Sequence, residues 1–309
     1  MKTIRETLEK TSPSVCSIKH YNDKEEMISA GSGFKVADHI VTNAHVICQE
    51  NITKTKIQFP DNTIWEGVYE ILKGSIRYDT VSPLEHWDVA ICDTKIMTQF
   101  SKIPSLELCS PGEDIYTSQH VALLGYPFGS DILSVHQGHI SSKYEEVIQK
   151  PDSEHPNRSH IAVKRIQIDA SVNKGNSGGP LINLEEGKVI GIITKKATGL
   201  TKLFDQFKEE NKTNLQEIED SVGGFSKNQE FINQIISANK EDPGALRVHN
   251  RKKEFSSNLR STIPILITHL KVKQLINELE QSANVGIGYA NELDKVREAF
   301  DDIQNEPNN

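Results

Sequence analysis

A serine framed by glycines, a histidine closing one β-branched run and an aspartate opening another are the residues of this chain whose types and spacing could do chemistry. Gly175-Asn176-Ser177-Gly178-Gly179-Pro180 reads as a nucleophile loop. A serine that attacks a carbonyl needs backbone N–H groups aimed at the oxygen that turns negative in the transition state. Glycines on both sides let the backbone turn tightly enough to present them, because glycine takes positive φ without steric cost. Gly175, Asn176 and Ser177 are therefore the expected oxyanion hole, with the N–H groups of Gly175 and Ser177 as its donors. A Gly/Ser/Asn cluster alone is also compatible with a plain turn, so the loop needs partners. A serine hydroxyl is a poor nucleophile until an imidazole removes its proton, and the imidazole needs a carboxylate to fix its tautomer. His45, in Ile40-Val41-Thr42-Asn43-Ala44-His45-Val46, and Asp88, in His86-Trp87-Asp88-Val89-Ala90-Ile91, supply those groups.

The elements that must position them are short. Apolar, β-branched runs bounded by turn residues predict strands over most of residues 12–197, an all-β region. A leading helix is expected over residues 1–11, stopped by Thr11, Ser12 and Pro13.

Three further segments carry a family resemblance: Gly31-Ser32-Gly33-Phe34, Leu124-Gly125-Tyr126-Pro127-Phe128-Gly129, and Ile168-Asp169-Ala170-Ser171-Val172-Asn173-Lys174 leading into the serine loop. With Leu181-Ile182-Asn183 and Val189-Ile190-Gly191-Ile192 after it, the pattern resembles the chymotrypsin-like serine proteases, and specifically their bacterial HtrA (Deg-type) branch. The resemblance implies a mainly β fold of two six-stranded barrels with the cleft between them. The first would span roughly 12–110 with His45 and Asp88, the second roughly 111–197 plus 284–291 with Ser177. It implies a serine endopeptidase acting on protein or peptide substrates through a Ser177–His45–Asp88 triad. His86 could compete as base, being two residues from Asp88 and on the same strand face, but its surroundings match no histidine segment of the family. Ser171 would form the base of the substrate pocket, with Ile192, Ile193 and Thr194 on the strand lining it. Without an acidic base, the expected P1 residue is neutral or aliphatic. Asn176 stands where trypsin-type zymogens carry the aspartate that receives a new N-terminus, so activation by that ion pair is not expected. Ordering of loops is the better candidate for any switch, and the polar segment 152–160 occupies the place of a regulatory loop.

The second half departs from the family. Apolar residues near helical spacing run from Phe204, Phe207, Leu215 and Ile218 through Phe231, Ile232, Ile235 and Ile236 to Leu275, Ile276 and Leu279. Gly223-Gly224 and Asp242-Pro243-Gly244 punctuate them. Asn284–Ala290 then resembles the family's closing strand, followed by an amphipathic stretch to Ile303. Residues 198–283 are accordingly read as a helical insertion inside the second barrel, beside the substrate entrance, and 292–309 as a helix and tail. The insertion is a buttress, a lid, a docking arm or an oligomerisation surface. No PDZ domain is expected after it.

Composition bounds the partners. The 309 residues are 36% hydrophobic and 25% charged, those of an ordinary soluble protein. A formal charge of −8 argues against nucleic acid, and His249-Asn250-Arg251-Lys252-Lys253 reads as a solvated face. No run approaches the roughly 18 apolar residues of a membrane span, and no secretory signal is visible, so a cytoplasmic protein is expected. A non-standard secretion route, as bacterial effectors use, would leave no mark. Cys16, Cys48, Cys92 and Cys109 show no close pairing and are expected as thiols. The pairs His136/His139 and His155/His160 lack cysteine or carboxylate partners at a ligand spacing, so neither metal nor cofactor is expected. The alternatives to a protease are a binding or scaffolding protein with an occluded cleft and, because the chemistry is shared, an ester hydrolase.

Overall fold

The computed structural model describes residues 3–79, 87–149, 160–196 and 287–305. The segments read as a helical insertion (198–283) and, but for His160, as a regulatory loop (152–160) lie outside them, as does His86. Helix α1 (Ile4–Thr11) starts with a reciprocal cap, in which Thr3 Oγ1 accepts from the Glu6 N–H while the Glu6 carboxylate takes the Thr3 N–H.

The first half is a seven-stranded antiparallel sheet built from β1 (Val15–Tyr21), β2 (Met27–Val36), β3 (His39–Thr42), β4 (Lys54–Gln58), β5 (Ile64–Val68), β6 (Ile76–Asp79) and β7 (Ala90–Asp93), in the order β5-β4-β1-β2-β3-β7-β6. Among the described residues this sheet is a half-barrel of seven strands that does not close, where six strands in a closed barrel were expected. Its end strands are instead bridged by the short helix α3 (Tyr69–Lys73), whose Tyr69 and Leu72 pack into the same cluster as Ile18, Ile40, Ile57 and Phe100. Side-chain burial there takes the place of a hydrogen-bonded seam.

The second half closes. β8 (His120–Gly125), β9 (Ser134–Gln149), β10 (His160–Ile168), β11 (Pro180–Asn183), β12 (Lys188–Lys196) and β13 (Gly288–Glu292) form a barrel in the order β10-β13-β12-β11-β8-β9. β13 pairs antiparallel with both β10 and β12. Val15, Phe34, Val41 and Ile91 from the first sheet share one core with Leu123, Leu124, Leu181 and Ile192 of the barrel, so the two halves are held by continuous apolar packing.

A last helix, α4 (Asp294–Asn305), packs against this core through Val296, Ala299, Phe300 and Ile303, one face at helical spacing. Its Arg297 reaches the Cys109 carbonyl, and Phe300 meets the His39 ring edge-on at 5.3 Å. The four cysteines are in no disulfide, and Cys16, Cys92 and Cys109 are buried. Burial pushes the Cys16 and Cys109 thiols up. Among the described residues no helix is long and apolar enough to cross a membrane.

Candidate active site

His45 lies in α2 (Ala44–Ile47), a single turn entered from β3 through Asn43. So short a helix satisfies few of its own carbonyls. Gln49 Nε2 donates to His45 O (2.7 Å), His20 Nε2 to Val46 O (2.8 Å) and the Tyr69 hydroxyl to Ile47 O (2.8 Å). A carbonyl only accepts, so the His20 proton sits on Nε2 and Nδ1 accepts from the Thr55 hydroxyl at 2.8 Å. Burial pushes the His20 imidazole down to about 4, against the opposing pull of the Val46 carbonyl.

Asp88 grips His45 twice. Its Oδ1 takes the His45 backbone N–H at 2.9 Å and its Oδ2 takes the ring Nδ1–H at 2.6 Å. A carboxylate is an acceptor only, so the ring proton is held on Nδ1 and Nε2 presents a lone pair. Asp88 itself has φ 51°, the left-handed region that costs a non-glycine residue roughly 1–2 kcal/mol. Two buried asparagines hold that conformation. Asn43 Nδ2 donates to the Asp88 carbonyl at 2.7 Å, and Asn291 Nδ2, from β13, to the Trp87 carbonyl. Asn291 in turn accepts from Arg165, which pairs with Glu146 at 2.8 Å. Lys295 sits 4.4 Å above the Trp87 ring. The carboxylate is thus anchored from both halves of the fold.

Ser177 follows a turn that only glycine permits. Gly175 has φ 97°, and a Cβ there would stand 2.4 Å from the Tyr126 carbonyl oxygen. Gly178 has φ 84°, and its Cβ would stand 2.2 Å from both Ser32 O and Thr42 Oγ1. The loop is therefore wedged between β2, the β3–α2 junction and the Tyr126–Phe128 turn, which brings Ser177 beside the segment that leads into His45. Ser177 is half-buried, and its hydroxyl donates to the Thr194 carbonyl at 3.2 Å. The Asn176 N–H is taken by Asn173 O at 3.0 Å, so of the three expected hole residues Asn176 offers no open donor. Its side chain is fully buried, and both its polar atoms lack a hydrogen-bond partner among the described residues. An amide tolerates that better than a carboxylate would.

The expected pocket residues separate. Ser171 is half-buried, while Ile192 and Ile193 are fully buried in the shared core. Their strand reaches Ser177 through the Thr194 carbonyl. Elsewhere, His139 stacks on His120 at 4.9 Å and faces Asp169 at 3.6 Å. Among the described residues no three metal-ligating side chains gather. Sequence reasoning missed the supporting set of Ser32, Thr42, Asn43, His20, Tyr69 and Asn291. Ser32 alone had a signal, as the polar residue between Gly31 and Gly33.

The model of the trypsin-like peptidase domain family matches residues 31–192. The chain is similar to serine protease HTRA2, mitochondrial, of Bos taurus, with 33% identity over 202 residues, 63% of this chain and 39% of that protein. It is also similar to a probable periplasmic serine endoprotease DegP-like of Rickettsia prowazekii, 36% identical over 169 residues, 54% of this chain and 28% of that protein. The chain thus spans well under half the length of these relatives. Among solved structures, the active form of the Rv3671c protease from M. tuberculosis aligns with 26% identity and a TM-score of 0.44, over 62% of this chain and 74% of that one.

Proposed function

Because the chain belongs to the trypsin-like peptidase domain family, we propose that it is an HtrA-like serine endopeptidase that cleaves protein or peptide substrates through an acyl-enzyme intermediate. The observation that carries the reading is the double grip of Asp88 on the His45 N–H and Nδ1, which leaves Nε2 as a base. Ser177 Oγ attacks the scissile carbonyl carbon and its proton passes to His45 Nε2. The Gly175 and Ser177 N–H groups stabilise the oxyanion. Collapse expels the amine, which takes the proton from His45, and leaves the acyl group on Ser177. Water, deprotonated by the same nitrogen, then releases the acid. The neutral Ser171 supports a neutral or aliphatic P1 residue, and four thiols outside any disulfide support a reducing compartment such as the cytoplasm.

A second reading is favoured by the Ser177 hydroxyl, which has one proton and gives it to the Thr194 carbonyl. That is a resting arrangement, and the hydroxyl must rotate onto His45 before it can react. In the limit, the chain would be a binding protein on a protease fold. Labelling of purified protein with a fluorophosphonate decides between the two. Labelling of the wild type that disappears in Ser177→Ala and in His45→Ala is expected. A folded wild type that neither labels nor cleaves an unfolded protein substrate would leave the binding reading.

A further inference from the structure

Every backbone carbonyl of the nucleophile loop from Lys174 to Ser177 has a donor. Phe128 N–H donates to Lys174 O at 2.6 Å, Gly179 N–H to Asn176 O at 3.0 Å and Ser32 N–H to Ser177 O at 2.8 Å. The remaining one, Gly175 O, accepts from the Ser32 hydroxyl at 2.7 Å. A trans peptide points its C=O and N–H in opposite directions. Fixing Lys174 O on Phe128 therefore turns the Gly175 N–H away from the Tyr126–Phe128 turn. Fixing Asn176 O on Gly179 turns the Ser177 N–H away from Gly179. Among the described residues no carbonyl takes either N–H. The two donors are aimed by the carbonyls of their own peptides, Lys174 O and Asn176 O, while the partners of Gly175 O and Ser177 O hold the loop between and after them.

Only one of those four partners is a side chain. We propose that Ser32 is a positioning residue for the oxyanion hole, acting from the first sheet on a loop of the barrel. The proposal rests on the Ser177 loop being the nucleophile loop. Ser32 is fully buried, and each of its polar groups is hydrogen-bonded. Its N–H holds Ser177 O, its hydroxyl donates to Gly175 O and accepts from the Tyr126 N–H at 2.9 Å, and its carbonyl accepts from the Thr42 hydroxyl at 2.6 Å. Tyr126 is also the residue whose carbonyl crowds the Gly175 Cα. One hydroxyl thus ties together both sides of the turn on which the Gly175 N–H depends. Without it, Gly175 O has no partner, the Gly175–Asn176 peptide is held only at its Asn176 N–H, and Gly175 loses its tie to the Tyr126 N–H and can shift, carrying its own N–H off line.

The test compares wild type, Ser32→Ala, Ser32→Thr and Ser32→Cys on one peptide substrate, with a peptide aldehyde as the tetrahedral mimic and thermal unfolding alongside. Ser32→Ala is expected to lower kcat about 10–100-fold, to leave KM within about threefold, and to weaken the aldehyde by the same factor as kcat. Ser32→Thr, which keeps the hydroxyl, restores kcat, and Ser32→Cys, similar in shape with a weaker donor, falls between. If Ser32→Ala does not fold, the Cys variant decides in its place. A folded variant whose Tm drops while kcat and aldehyde affinity stay at wild-type values overturns the proposal, since that is what a purely structural serine would give. A wild type that shows no Ser177-dependent turnover overturns the protease reading itself, and the proposal with it.

Discussion

Asp88→Asn tests whether the carboxylate acts by orienting the imidazole. Asp88 uses both oxygens on one residue, Oδ1 on the His45 backbone N–H and Oδ2 on ring Nδ1. An amide has one oxygen. The backbone N–H cannot change sides, so the asparagine oxygen stays on it and the NH2 group turns to Nδ1. The ring then accepts at Nδ1 and carries its proton on Nε2, which makes it a donor toward Ser177 instead of a base. Restoring the productive tautomer requires flipping the amide, which sets its NH2 against the His45 N–H and leaves two donors face to face, at a cost of roughly 2–4 kcal/mol. The imidazolium formed during reaction also loses a charge-assisted partner, about another 1.5–3 kcal/mol. The sum, about 3.5–7 kcal/mol, is a loss of roughly 10³–10⁵ in kcat. The assay is single-turnover cleavage of a fluorogenic peptide, with circular dichroism to establish folding. Because Asp88→Asn keeps the size of the side chain, Tm should move by only a few degrees. A folded variant within tenfold of wild-type kcat would refute the reasoning.

Gly175→Ala should cost both stability and turnover. Its Cβ would meet two backbone atoms, Tyr126 O at 2.4 Å and Phe128 N at 2.9 Å, at a φ of 97°, so a loss of roughly 1–3 kcal/mol is expected in urea unfolding, together with about 10²–10³ in kcat from a displaced oxyanion donor. Wild-type kcat in that variant would place the hole elsewhere. His20 makes stability depend on pH. Its folded value of about 4 lies below the usual 6.5, so between the two the unfolded chain binds the extra proton. Stability should be complete above about pH 6.5 and fall by up to roughly 3 kcal/mol as pH drops toward 4. His20→Gln should flatten that part of the urea-midpoint profile, and an unchanged slope would show that His20 is not its source.

The candidate site is legible in the sequence where its chemistry is local. His45, Asp88 and Ser177 each stand inside a short run with its own signature, and the positive φ of Gly175 and Gly178 is a demand only glycine meets cheaply. The supporting hydrogen bonds are not local. Ser32 serves a carbonyl 143 positions away and Asn291 one 204 positions away, and nothing in the type or spacing of either residue announces a partner so distant. Ile192 and Ile193 show the same limit. They belong to the strand beside Ser177, which is paired on both sides, and their side chains lie in the core, a burial that their apolar type alone does not locate. That the first sheet is open among the described residues was equally hidden. Alternation predicts strands, whereas closure depends on whether the end strands meet, and here α3 and its apolar contacts stand between them.

The place of β13 has a consequence for how the chain comes off the ribosome. Ser177, its glycines and five of the six barrel strands are synthesised by Lys196, yet β10 and β12 stay apart until residues 288–292 arrive to pair with both. Asn291 of that strand also holds the Trp87–Asp88 peptide. A nascent chain can therefore carry His45, Asp88 and Ser177 for the time taken to make the next 91 residues (197–287) without a closed barrel around them. Bringing such distant segments together is slow and entropically costly. For the peptidase proposed above the delay is protective, since the groups of the candidate site are brought together only after β13 has been made.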